Sequence, residues 1–75
     1  MTYATESITE LTTGLAKAVA RRMPAEAVYN GLTFTLWYNM AIPVITVIHP
    51  EDGVVFEDMA SDKPELMREF LAALL

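Results

Sequence analysis

Leu32-Thr33-Phe34-Thr35-Leu36-Trp37-Tyr38-Asn39-Met40 alternates apolar and polar side chains almost one for one. That period of two places Leu32, Phe34, Leu36, Tyr38 and Met40 on one face of a strand and Thr33, Thr35, Trp37 and Asn39 on the other. A half-buried antiparallel strand follows. Upstream, Asn30-Gly31 between Val28-Tyr29 and Leu32 carries the turn chemistry of a two-residue hairpin. The same residues also fit one or two helical turns from Pro24 closed by Gly31, so residues 24–31 are either a hairpin arm or helical turns. Downstream, a bend over Met40 to Pro43 leads into Val44-Ile45-Thr46-Val47-Ile48-His49, a β-branched run suited to a central strand. Pro50-Glu51-Asp52-Gly53 then supplies a turn, and Val54-Val55-Phe56-Glu57 completes a second hairpin.

Helical periodicity flanks this centre on both sides. From Ser7 to Met23, Ile8, Leu11, Leu15, Ala18, Val19 and Arg22 recur at three- and four-residue spacings. Ser7-Ile8-Thr9-Glu10 has the capping-box pattern, Glu6 and Glu10 lie at the start, Lys17, Arg21 and Arg22 lie at the end, and Pro24 is the stop. Gly14, one turn before Ala18, invites close approach by a strand or by a second copy of the helix. A last helix is expected after Asp62-Lys63-Pro64-Glu65, with Asp62 as N-cap and Leu66, Met67, Phe70, Leu71 and Leu74 as its apolar stripe. The expected architecture is one α+β domain over residues 1–75: an N-terminal helix, a three- to four-stranded antiparallel meander and a C-terminal helix, in two layers. Leu11, Leu15, Val19, Phe34, Leu36, Val47, Phe70 and Leu71 are its expected shared core.

Charge is unevenly spread along the chain. Ten acids against five bases give a net charge of −5 and a pI near 4.5. Seven acids (Glu51, Asp52, Glu57, Asp58, Asp62, Glu65, Glu69) and two bases lie from Glu51 onward, whereas Ala27 to His49 has no formal charge. That uncharged stretch is long enough to span a bilayer, but Asn30, Gly31, Asn39, Pro43, His49 and its alternation argue for strands and against a membrane span. An acidic balance also disfavours direct contact with nucleic acid, whose phosphates are met by Lys and Arg. The natural partner is a basic protein surface. The first ten residues hold two acids and no base ahead of an apolar run, so a secretory signal is not expected and a cytoplasmic location is. Seventy-five residues without cysteine sit near the lower size limit for one core, which leaves a homodimer open as a second means of support.

No catalytic, cofactor or metal motif is present in the sequence. His49 is a lone histidine at a strand end with no adjacent nucleophile, and the pairs Glu51, Asp52 and Glu57, Asp58 lack the spacing of a calcium loop. No enzyme activity, cofactor or metal is expected. The expected partner-binding residues are Glu51, Asp52, Glu57, Asp58 and Asp62, together with Trp37. Trp37 reads two ways: as an interface anchor on an uncovered sheet face, or as a side chain beneath a helix with Phe34 and Leu36 turned outward.

In size, acidity, lack of cysteine and its mix of helices with a short antiparallel sheet, the chain resembles the small phage-type anti-CRISPR proteins, a group that shares organisation and no common motif. The resemblance implies an inhibitor. Carboxylates at Glu51, Asp52, Glu57, Asp58, Asp62, Glu65 and Glu69 would occupy a Lys/Arg groove of a CRISPR effector that normally holds nucleic acid. The alternative is a homodimeric structural or assembly protein, paired through Gly14 and Ala18 or through the Trp37 face, whose acidity serves solubility.

Overall fold

The structure, a computed structural model, describes residues 2–4 and 7–73. Glu6 and Leu74, expected at a helix start and in an apolar stripe, lie outside the described residues. The elements run β1 (Thr2–Ala4), α1 (Ile8–Ala20), β2 (Ala25–Tyr29), β3 (Leu32–Asn39), β4 (Ile42–His49), β5 (Gly53–Met59) and α2 (Pro64–Ala72). Strands β2 to β5 form the expected antiparallel meander, and residues 24–31 are a hairpin arm. One strand was not foreseen. β1 adds a parallel edge beside β2, and α1 provides the crossover that parallel neighbours require.

Helix α1 begins where Ser7 Oγ accepts the Glu10 N–H at 3.3 Å. It ends at Ala20, three residues before the expected Met23, because Arg22 turns to a φ of 56°. The N–H of Arg22 then donates to Val19 O at 3.1 Å and that of Met23 to Ala18 O at 2.9 Å, the paired bonds of a Schellman stop. Arg22 is therefore an exposed cap residue and does not belong to the apolar stripe; its Nη1 donates to Ala41 O at 2.9 Å. At α2 the N-cap position is Lys63 and not Asp62, and no side chain caps it. The Lys63 N–H is taken instead by Ser61 Oγ at 3.1 Å, two residues upstream, and Pro64 needs no acceptor.

The core lies between the helices and one face of the sheet. Leu11, Leu15, Ala16 and Val19 of α1 and Met67 and Leu71 of α2 meet Ala27, Phe34, Leu36, Ile45 and Val47 of the sheet, with Phe70 packed at the margin. Register explains the match: Phe34 sits opposite both Ala27 and Val47, and Leu36 opposite both Ala25 and Ile45, so the helix-side residues form continuous rows. The Tyr38 hydroxyl reaches past the end of α1 to the carbonyls of Met23 (3.0 Å) and Ala18 (3.3 Å), donating to one at a time. Phe56 and Phe70 stack edge to face at 5.0 Å and hold α2 against the outer strand. Leu66, expected in the α2 stripe, is half exposed because Met67 and Leu71 take the buried positions. Gly14 and Ala18 floor an open groove of about 300 Å³ with Lys17, Arg21, Met23, Pro24 and Ala25, so no strand fills that space.

Two tight turns link the inner strands. Asn30-Gly31 has φ of 54° and 78°, as a two-residue type I′ turn requires and as Asn-Gly readily allows. Met40-Ala41 adopts φ of 51° and 70° with neither Gly nor Asn, replacing the wider bend expected there. Met40 consequently leaves the strand face to which it was assigned and stands 92% exposed at the hairpin tip. Left-handed backbone costs an L-residue roughly 1 kcal/mol or more. Replacing Met40-Ala41 with Asn-Gly should raise stability by about 1 kcal/mol, whereas Leu15→Ala should lower it by about 2 to 5 kcal/mol and Leu66→Ala by less than about 1 kcal/mol. Denaturant midpoints at unchanged slope check all three.

Candidate functional site, an uncovered sheet face

Alternation that sends Phe34, Leu36, Ile45 and Val47 inward sends their neighbours to the opposite face, which no helix covers. Cross-strand register orders that face into lanes. Glu26, Thr35, Thr46 and Glu57 are successive partners across β2, β3, β4 and β5 and make a polar lane. On one side Trp37, Val44 and Met59 make an apolar lane, extended by Ile42, and on the other Val28, Thr33, Ile48 and Val54 make a second. Several of these side chains are large and open to solvent: Met59 is 66% exposed, Val54 61%, Ile42 48% and Trp37 37%. Apolar side chains gathered in lanes on one uncovered face mark a binding surface more strongly than the same residues scattered singly.

One hydrogen-bond chain ties the lanes together. Trp37 Nε1 donates to Thr46 Oγ1 at 2.8 Å, and the Thr46 hydroxyl donates to Glu57 Oε2 at 2.7 Å. Thr46 is 7% exposed and uses its single proton and a lone pair in these two bonds. The bond ties the β3 indole to β4 while Trp37 stays 37% exposed. The Glu57 carboxylate is oriented by a neutral donor, and among the described residues no Lys or Arg pairs with it.

Trp37 and Glu57 are the two expected site residues that the fold brings together. Glu51 and Asp52 share the β4–β5 turn, roughly 10 Å or more along the strands from Glu57 at about 3.3 Å per residue. His49 Nδ1 accepts the N–H groups of Glu51 (3.1 Å) and Asp52 (3.2 Å) and so organises that turn. Because Nδ1 is the acceptor in both, its 3.7 Å approach to Asp52 Oδ2 is not an ion pair in this arrangement. Asp58 follows Glu57 and so belongs by alternation to the other face, and its Oδ1 accepts the N–H of Met59 at 2.7 Å at the outer edge of β5. Asp62 lies in the β5–α2 link beside a polar groove of about 320 Å³ formed with Val19, Arg22, Pro43 and Ala60. The alternative that Trp37 lies beneath a helix does not hold, since Phe34 and Leu36 occupy the helix side.

Thr46, Val44, Met59 and Glu26 belong to the face and were not singled out in the sequence. Thr46 left a trace, as the one hydroxyl in a five-residue run that is otherwise Val and Ile. The fold also redistributes the charge. No strand contains Lys or Arg, and Glu26, Glu51, Asp52, Glu57 and Asp58 all lie on the sheet or its turn. The five bases lie on or beside the helices, offset by Glu10, Asp62, Glu65 and Glu69, with Glu6 just ahead of α1 in sequence. The net charge of −5 therefore belongs to the sheet layer.

Among the described residues no three His, Cys, Asp or Glu side chains converge to hold a metal ion, and no described helix is long and apolar enough to cross a membrane. Thr46→Val should strip the partner from both Trp37 and Glu57, lowering stability by about 1 to 2 kcal/mol and speeding exchange of the indole proton. Chemical denaturation together with hydrogen exchange of the Trp37 side chain measures both effects. No protein-family model, curated protein or solved structure matches this chain.

Proposed function

We propose that this protein is a non-enzymatic binding module that meets a basic protein surface through its uncovered sheet face. The supporting observation is the coincidence, on that face, of open apolar lanes with a lane that holds Glu26 and Glu57, on strands that contain no Lys or Arg. Apolar area supplies affinity, and the Glu57 carboxylate, with no Lys or Arg paired to it among the described residues, supplies orientation and speed of encounter. In the form implied by the anti-CRISPR resemblance, the basic surface is a groove that otherwise holds nucleic acid, and this protein is an inhibitor that excludes it. Both ligands release the same counterions from such a groove, so they compete. The homodimeric alternative uses the same face less well, because pairing two copies face to face brings two acidic sheet layers together.

The test is capture from an extract of the native host by immobilised protein, at low and high salt. A variant carrying Trp37→Ser, Glu57→Gln and Met59→Ser should lose the captured partner, while Glu51→Gln with Asp52→Asn on the distant turn should mainly slow association. Added nucleic acid should displace the module, and sedimentation over a hundredfold concentration range should show a monomer. Equal capture by the open-face variant and the parent would sink the proposal.

A further inference from the structure

We infer that the partner seats an arginine side chain between Trp37 and Glu57. This deepens the reading above and rests on it. The two groups flank Thr46 and are joined through its hydroxyl, so an aromatic face and a carboxylate are held side by side by bonds internal to the sheet. Their chemistries ask for one ligand. An indole face attracts a cation, and the attraction is strongest for Trp among the aromatic residues. A carboxylate with one oxygen anchored still offers its other oxygen and a remaining lone pair outward, the arrangement that a planar fork of N–H donors meets with two parallel bonds.

Guanidinium satisfies both demands at once, whereas an ammonium group does not. Its flat, weakly hydrated ion stacks on a ring while its edge donates to a carboxylate, but an ammonium is a point charge that keeps its water. The surroundings favour the same occupant. Val44, Ile42 and Met59 line the approach with exposed or half-buried apolar surface, which suits the methylene stem of a long cationic side chain. Among the described residues no Lys or Arg pairs with Glu57, and no strand contains either residue.

The probes are three short blocked peptides with leucines on either side of a central arginine, lysine or citrulline. Each is titrated into the isotope-labelled full chain while the Trp37 indole N–H and the Glu57 and Val44 amides are followed by NMR. The arginine peptide should move these signals and bind about tenfold more tightly than the lysine or citrulline peptide. Glu57→Gln keeps an acceptor for the Thr46 hydroxyl while removing the charge, so its fold should survive, as a denaturation curve will confirm, and its preference for arginine should disappear. Glu51→Gln with Asp52→Asn should leave the titration unchanged. Equal binding of the arginine and lysine peptides, with both weakened by Glu57→Gln, would overturn the arginine seat and spare the acidic-face reading. Shifts confined to other surfaces, no shifts at all, or no effect of Glu57→Gln would overturn the seat as well. Only if the open-face variant also captures the partner as well as the parent does the reading beneath it fall.

Discussion

The pairing of β3 with β4 is the constraint on which the remaining architecture depends. Phe34 opposite Val47 and Leu36 opposite Ile45 deliver four large apolar side chains to one face, and α1 and α2 have a surface to cover only because they do. A slip of one residue would invert one strand against the other, turning either Thr35 or Thr46 into the core and that strand's pair of apolar side chains into water. Such an error would cost several kcal/mol, comparable to the entire stability of a small domain. The tight turn at Met40-Ala41 holds that register, and the Tyr38 hydroxyl checks it from the strand end by reaching the last carbonyls of α1. The same alternation that fills the core also sets Trp37, Thr46 and Glu57 on the opposite face. Core and site are therefore two readings of one pairing.

Much of this was legible from residues 7–71. Period two in Leu32 to Tyr38 and period 3.6 in Leu11, Leu15 and Val19 each answer to burial on a single face, and burial is what those patterns record. The two-layer order, the hairpin turned at residues 50–53 and all eight expected core residues were legible, with Phe70 at the edge of the core and the rest inside it, while residues 24–31 stayed open between a hairpin arm and helical turns. What the sequence hid is physical too. β1 is three residues long, too short to display a period, and its pairing with β2 depends on a partner more than twenty residues away. Met40 and Ala41 carry no turn chemistry, because tertiary closure of the hairpin overrides their backbone preference. Lys63 and not Asp62 takes the N-cap position of α2 with no side-chain cap, and Ser61 Oγ accepts only the Lys63 N–H, an outcome of local geometry that residue type does not announce.

The candidate site was half legible for a similar reason. Trp37 and the acids stand out in sequence, but whether carboxylates gather is a question of strand parity and register. Glu57 and Asp58 are adjacent in the chain and opposed across the sheet, so their proximity in sequence misleads. Asp58 has separate work at the outer edge. The bond from Ala60 N–H to Pro43 O fixes which β5 amides face β4, and by alternation the Met59 N–H faces outward, where the Asp58 carboxylate occupies it. With a register shift near Val47 and Ile48 as well, β5 is blunted against pairing with a stray strand.

The separation of charge between layers makes the molecule an electric dipole as well as an acid. Its sheet side carries the excess of carboxylates, and its helix side carries acids and bases in balance. Within about one Debye length, roughly 8 Å at physiological ionic strength, a positively charged surface would exert a torque on such a body before any contact forms. Reorientation of a particle only 29 Å along its longest axis takes about as long as its drift across that distance, so it can keep pace with the approach. A larger share of collisions would then begin with the open face already turned towards the partner, so that the search for the correct orientation is completed during approach.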